Sequence, residues 1–140
     1  MGWVGGMKLY HYTCRHSIYD IVEQGGTLKP NPAPGWQKKV ASFSFPVVWL
    51  TDVDVRSRDD AKLIGLAQLA GDITNCYRIA WRLIVPNVGV VPWSDWADEN
   101  ADNMIRFSLE ESPGADPDRW FVCPGPISGA RLDEHYRAPR

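Results

Sequence analysis

Proline and glycine divide this chain into short apolar segments, and that punctuation limits what it can fold into. Eleven Pro and 12 Gly among 140 residues fall mostly between apolar stretches. Proline withholds a backbone donor and glycine admits left-handed turns, so short strands joined by many turns are expected rather than a helix bundle. No internal repeat, low-complexity tract or linker composition intervenes. The length suits one domain, so residues 1–140 are expected to form a single domain. Seven Trp add a second constraint. Their rings must be packed or stacked on something, which implies a broad aromatic core, a stacking pocket, or both.

Composition removes several classes of function. A hydrophobic content of 44% excludes wholesale disorder. The formal charge of −2 provides no broad electrostatic footprint for nucleic acid or anionic lipid and lowers the case for a nucleic-acid-binding module. No apolar run approaches the ~18–20 residues that span a bilayer, so no membrane partner is expected. Residues 1–6 have no basic region followed by an apolar one, so no signal peptide is expected and the location implied is cytoplasmic. Cys14, Cys76 and Cys123 are odd in number and scattered, which argues for free thiols in a reducing compartment. With neither CxxC nor HExxH, no metal site is expected.

Alternation marks 8–13 (KLYHYT) as a first strand, with His11 and Thr13 on one face and Tyr12 on the other. A helix is expected over 17–24, capped by Ser17 with Asp20 three residues on. Ile18, Ile21 and Val22 form its apolar face, and Gly25-Gly26 closes it. Residues 40–45 and 47–50 read as strands on either side of Pro46. A charged stretch runs from Asp52 to Lys62; its Asp52–Asp60 part lacks the spacing and glycine of an EF-hand cation loop and reads as a solvated loop, and a helix carrying Leu63, Leu66, Ala67 and Ala70 follows. The strongest strand signal is 76–85 (CYRIAWRLIV), with Tyr77, Ile79, Trp81 and Leu83 on one face and Arg78, Ala80 and Arg82 on the other. Next come a short strand over 88–91 and one helix within 95–111, with Ala97, Ala101, Met104, Ile105 and Leu109 inward. A last strand follows over 119–123 (RWFVC), and 132–140 is expected to be loosely ordered. Helices inserted between short, hairpin-linked strands define an α+β class. The connections are too short for crossovers and no GxGxxG follows the first strand, so a doubly wound sheet is disfavoured.

The residues that carry chemistry cluster early. His11, Tyr12 and Thr13 set an imidazole, a phenol and a hydroxyl at a strand end just before a helix. LYHYT, the short helix closed by Gly-Gly, TLKP, a Pro-rich loop and VVWLTD together resemble the opening of small ADP-ribosyltransferase-fold proteins, of the diphtheria-toxin-like and DNA-modifying-toxin-like branches. The resemblance covers mainly residues 8–52, about a third of the chain. It implies an ADP-ribosyltransferase-like split β-sheet core with inserted helices, and NAD as the substrate with no metal. By that resemblance His11 would contact the adenosine ribose, Thr13 and Tyr12 would help position the dinucleotide, and Trp49 and Thr51 would face the nicotinamide end. Arg78 and Arg82 share a strand face, and arginine on a strand in a cleft suits phosphate through bidentate charge-assisted bonds, with a solvated sheet face for both as the alternative.

One departure from the resemblance governs the functional reading. The family places a catalytic Glu on a late strand, where this chain has Trp120. A carboxylate there stabilises the oxocarbenium-like state as the nicotinamide–ribose bond breaks, and such preorganised groups are often worth ~10²–10³ in rate. Tryptophan supplies no negative charge, but it stacks on bases at ~1–3 kcal/mol. Two functions follow. One is an enzyme transferring or hydrolysing ADP-ribose from NAD, with Glu110 or Asp118 as a displaced acid and a protein, a nucleic acid or water as acceptor. The other is a non-catalytic binder of NAD, ADP-ribose or a related nucleotide, or an inhibitor of a protein partner, on the same fold.

Overall fold

The computed structural model describes residues 7–30, 47–64, 77 and 79–139. The elements in chain order are β1 (Leu9–Thr13), α1 (Arg15–Glu23), β2 (Val48–Thr51), α2 (Arg58–Leu63), β3 (Trp81–Val85) and β4 (Val91–Pro92). They continue with α3 (Trp93–Asn100), α4 (Asn103–Glu110), a 3-10 turn (Pro117–Arg119), β5 (Trp120–Cys123) and β6 (Arg131–Leu132). The strands form one sheet in the order β4-β5-β2-β1-β3-β6, and each neighbouring pair is antiparallel. The fold is therefore α+β. Both edge strands are two residues long, which leaves little ladder for another chain to extend.

Strand periodicity sorts the side chains onto two faces. Leu9, Val48, Leu50, Leu83, Val85, Phe121 and Cys123 turn one way and pack beneath Ile18 of α1, together with Leu28, Ile127 and Ala130. Val47, Trp120 and Val122 turn the other way and pack against Trp93 and Ala97 of α3. Beside them, Val53, Val55 and Ile79 enclose Ala61 of α2. A bridge between Leu28 and Ile127 ties the end of α1 to the loop after β5.

Several expectations are corrected. The first helix begins at Arg15, with Cys14 as its extended N-cap, because β1 runs unbroken to Thr13; Ser17 lies inside the helix and caps nothing. Val22 faces solvent rather than the core. The charged run is not all loop: Ser57 and Asp60 form a reciprocal capping box that starts α2 within it. The third strand begins only at Trp81, because Ala80 N–H closes a turn on the Tyr77 carbonyl. The strand expected over 88–91 shrinks to Val91–Pro92. The single helix expected within 95–111 is two helices. Ala101 adopts an extended backbone between them, which rotates the frame and leaves Met104 exposed. The carboxyl-terminal residues are not loose, since Asp133 and Tyr136 are bonded to β3 and the turn before it. The strand expected over 40–45 lies outside the described residues.

Candidate functional site

β1 lies centrally, between β2 and β3. Its register with β3 runs from Leu9↔Val85 to Thr13↔Trp81, but it meets β2 only at Tyr10↔Thr51. Beyond Tyr10 the two strands part, and His11 occupies the parting. Its Nδ1 lies 2.8 Å from the Trp49 carbonyl oxygen. A carbonyl only accepts, so Nδ1 carries the proton. The imidazole thus satisfies a carbonyl near the point where the β1–β2 pairing gives out.

Burial lowers the pKa of His11 below the ordinary imidazole value, and the bond to Trp49 offsets only part of that. The ring is therefore neutral near pH 7. With the proton on Nδ1, Nε2 presents a lone pair. Among the described residues no hydrogen bond reaches Nε2. The position is half-buried and chemically specific: it accepts from a hydroxyl or an amide, and it offers nothing to a phosphate oxygen, which needs a donor.

Thr13 lies two residues along on the same face and is 6% exposed. Among the described residues its hydroxyl has no hydrogen-bond partner. A buried hydroxyl without a partner costs stability, so such a group is informative when it lies beside a half-buried imidazole. Cys14 follows, buried at the start of α1.

The other candidate residues stand on the opposite face. The Tyr12 hydroxyl donates to the Val53 carbonyl at 2.7 Å and accepts from Val55 N–H at 3.0 Å, so it fastens the chain after β2. Thr51 donates to the Arg119 carbonyl at 2.8 Å and accepts from Val53 N–H at 3.1 Å, joining the end of β2 to the start of β5. Trp49 packs 4.9 Å from the ring of Trp93. Trp120, opposite Thr51 in the ladder, is 4% exposed; it contacts Trp49 and Trp93, and its indole N–H donates to the Leu63 carbonyl.

The two candidate acids have different surroundings. Glu110 accepts from the indole N–H of Trp93 at 2.7 Å and from Arg106 Nε at 2.8 Å, holding α4 to α3. It lies with the tryptophan cluster, across the sheet from His11 and Thr13. Asp118 is exposed in the 3-10 turn that leads into β5. Arg78 lies outside the described residues.

A polar cluster around Arg82 was not legible in the sequence. Its guanidinium bonds Asp133 through Nε at 2.9 Å and Nη2 at 2.6 Å, and Asp54 through Nη1 at 2.6 Å. It also lies over the rings of Tyr10 at 4.2 Å and Tyr136 at 4.7 Å. The Arg82 hydrogen bond lowers the Asp54 pKa. Burial works to raise that of Asp133, but the bonds from Arg82 prevail and hold it low. Arg82 is therefore buried and engaged rather than on a solvated face. Alternation correctly set it opposite Leu83, but both partners come from distant segments. Among the described residues, no group of three or more His, Cys, Asp or Glu could hold a metal ion. No described helix is long and apolar enough to cross a membrane.

No protein-family model matches the chain, and neither a curated protein nor a solved structure shows significant similarity to it.

Proposed function

We propose that this protein binds an NAD-type dinucleotide or ADP-ribose where β1 parts from β2, and that recognition rather than turnover is its role. The observation that carries this reading is the state of His11. Its Nδ1–H is committed to Trp49, so Nε2 accepts, and the complementary ligand group is a hydroxyl such as those of a ribose. Thr13 adds a buried hydroxyl on the same face. The LYHYT and VVWLTD resemblance supports the same class of ligand. Recognition without turnover is favoured because Trp120 is packed in the core and Glu110 is bonded to Trp93 and Arg106.

Titration calorimetry with NAD and with ADP-ribose tests this, using wild type, His11→Asn and Thr13→Val. Asn retains a donor for the Trp49 carbonyl but loses the Nε2 acceptor. Micromolar binding that weakens about tenfold or more in both variants is expected, on the scale of ~1.4 kcal/mol per tenfold. No binding of either nucleotide to the wild type overturns the reading.

A transferase or NAD glycohydrolase is the second reading, and the exposure of Asp118 beside β5 favours it specifically. Nicotinamide release that Asp118→Asn abolishes, with binding retained, would establish it. A protein or nucleic-acid acceptor belongs to this reading alone.

A further inference from the structure

We propose that the outward face of α4 is a docking surface for a basic, amphipathic segment of another protein. Arg106 and Glu110, on one side of this helix, are bonded to α3, and Leu109 beside them packs against the tryptophan cluster. The opposite side carries Met104 and Phe107 at i and i+3, and Glu111, just past the helix end, follows on the same line with its N–H bonded to the Phe107 carbonyl. Met104 is 73% exposed and Phe107 65%. Met and Phe are both enriched at protein interfaces, since one adapts its shape and the other brings a large rigid area.

Charge identifies the occupant. Residues 95–111 hold six carboxylates and a single basic residue, Arg106, a net −5, whereas the whole chain carries −2. The rest of the molecule is therefore net positive, and the excess negative charge belongs to the α3–α4 segment that carries this apolar pair. Arg106 is itself paired with Asp98 and Glu110, so it does not offset the exposed carboxylates of Asp95, Glu99 and Glu111. An exposed apolar pair on a strongly acidic segment complements a partner whose Leu-type side chains are flanked by Lys or Arg. The same field repels nucleic acid. This surface is independent of the nucleotide reading.

The test uses the full chain and a short fluorescein-labelled Leu/Lys peptide with one apolar helical face, followed by anisotropy. A second peptide has the same composition with its apolar residues scattered. Binding of the first is expected to be at least about tenfold tighter than that of the second. The double substitution Met104→Ser/Phe107→Ser is expected to abolish that preference, while Tyr19→Ser, at an exposed aromatic on α1, leaves it unchanged. Both changed residues are exposed, and circular dichroism checks that the fold persists. Equal affinity for the two peptides, no binding, or affinity unchanged in the double variant overturns the proposal. Sedimentation velocity gives one further outcome: self-association that the peptide does not compete with and that the double variant loses would assign this face to a second copy and overturn it.

Discussion

His11 Nδ1 donates to the carbonyl of Trp49 at 2.8 Å, 38 residues along the chain, where β1 and β2 part. The bond settles the tautomer of the ring, and burial, which the bond only partly offsets, settles its state of charge. An unfolded imidazole titrates near ~6.5. Burial lowers the folded value, so between the two values the unfolded chain binds the extra proton and stability rises with pH. This contribution is complete above the unfolded value and is lost as the pH falls through it towards the folded one. Urea denaturation across this range should show a steeper loss on acidification for wild type than for His11→Asn. A proton-NMR titration should place the His11 midpoint below ~6.5. Parallel pH profiles for the two proteins would contradict the assignment.

Arg82 and Asp133 form a buried pair, with side chains 10% and 8% exposed. Removing one charge leaves the other unpaired, so Arg82→Met should cost about 3–5 kcal/mol in denaturant unfolding. The double change Arg82→Met/Asp133→Leu should recover part of that loss, since no lone charge then remains buried against it. Both Asp54 and Asp133 have depressed pKa values. Their contribution is present above the ordinary carboxylate range and disappears as the pH falls through the folded values. Asp133→Asn should therefore flatten the acid limb of the stability profile.

Glu110 provides a separable test of structure against catalysis. Glu110→Ala strands the indole N–H of Trp93, which lies in a fully buried residue, and should cost about 1–3 kcal/mol. Glu110→Gln keeps an acceptor for that N–H and should lose less. If nicotinamide release exists and Glu110→Gln abolishes it with stability intact, Glu110 is the acid and not an anchor.

Gly25 and Gly26 both have positive φ, at 71° and 80°. A Cβ on Gly25 would meet nothing within 4 Å, so Gly25→Ala should cost only the left-handed penalty of ~1–2 kcal/mol. On Gly26 the same atom would lie 2.1 Å from the Ala130 carbonyl oxygen, which is backbone. Gly26→Ala should thus be clearly the more damaging of the two in thermal unfolding. Equal effects would mean that the segment around Ala130 moves aside easily.

Local signals were legible where the chain makes its own structure. Two Ser-x-x-Asp tetrads occur, Ser17–Asp20 and Ser57–Asp60. The second forms a capping box, and the first lies, exposed, inside a helix that the end of β1 had already started. The sequence offers both equally, and the neighbouring strand decides between them. In the same way, helical spacing joined Ala97 to Leu109, but the extended backbone at Ala101 divides that stretch and turns Met104 outward.

From the sequence alone follow the α+β class, the alternation that sets His11 and Thr13 against Tyr12, and the Gly-Gly end of the first helix. Each depends on the backbone geometry of a few adjacent residues. Tertiary structure decided that Trp120 is core, that Glu110 serves Trp93, and that Arg82 finds Asp133 from 51 residues away. It also decided that the imidazole of His11 faces a carbonyl rather than a carboxylate. Those outcomes depend on which distant atoms come within hydrogen-bond reach, and chain closure and packing determine that, not local preference.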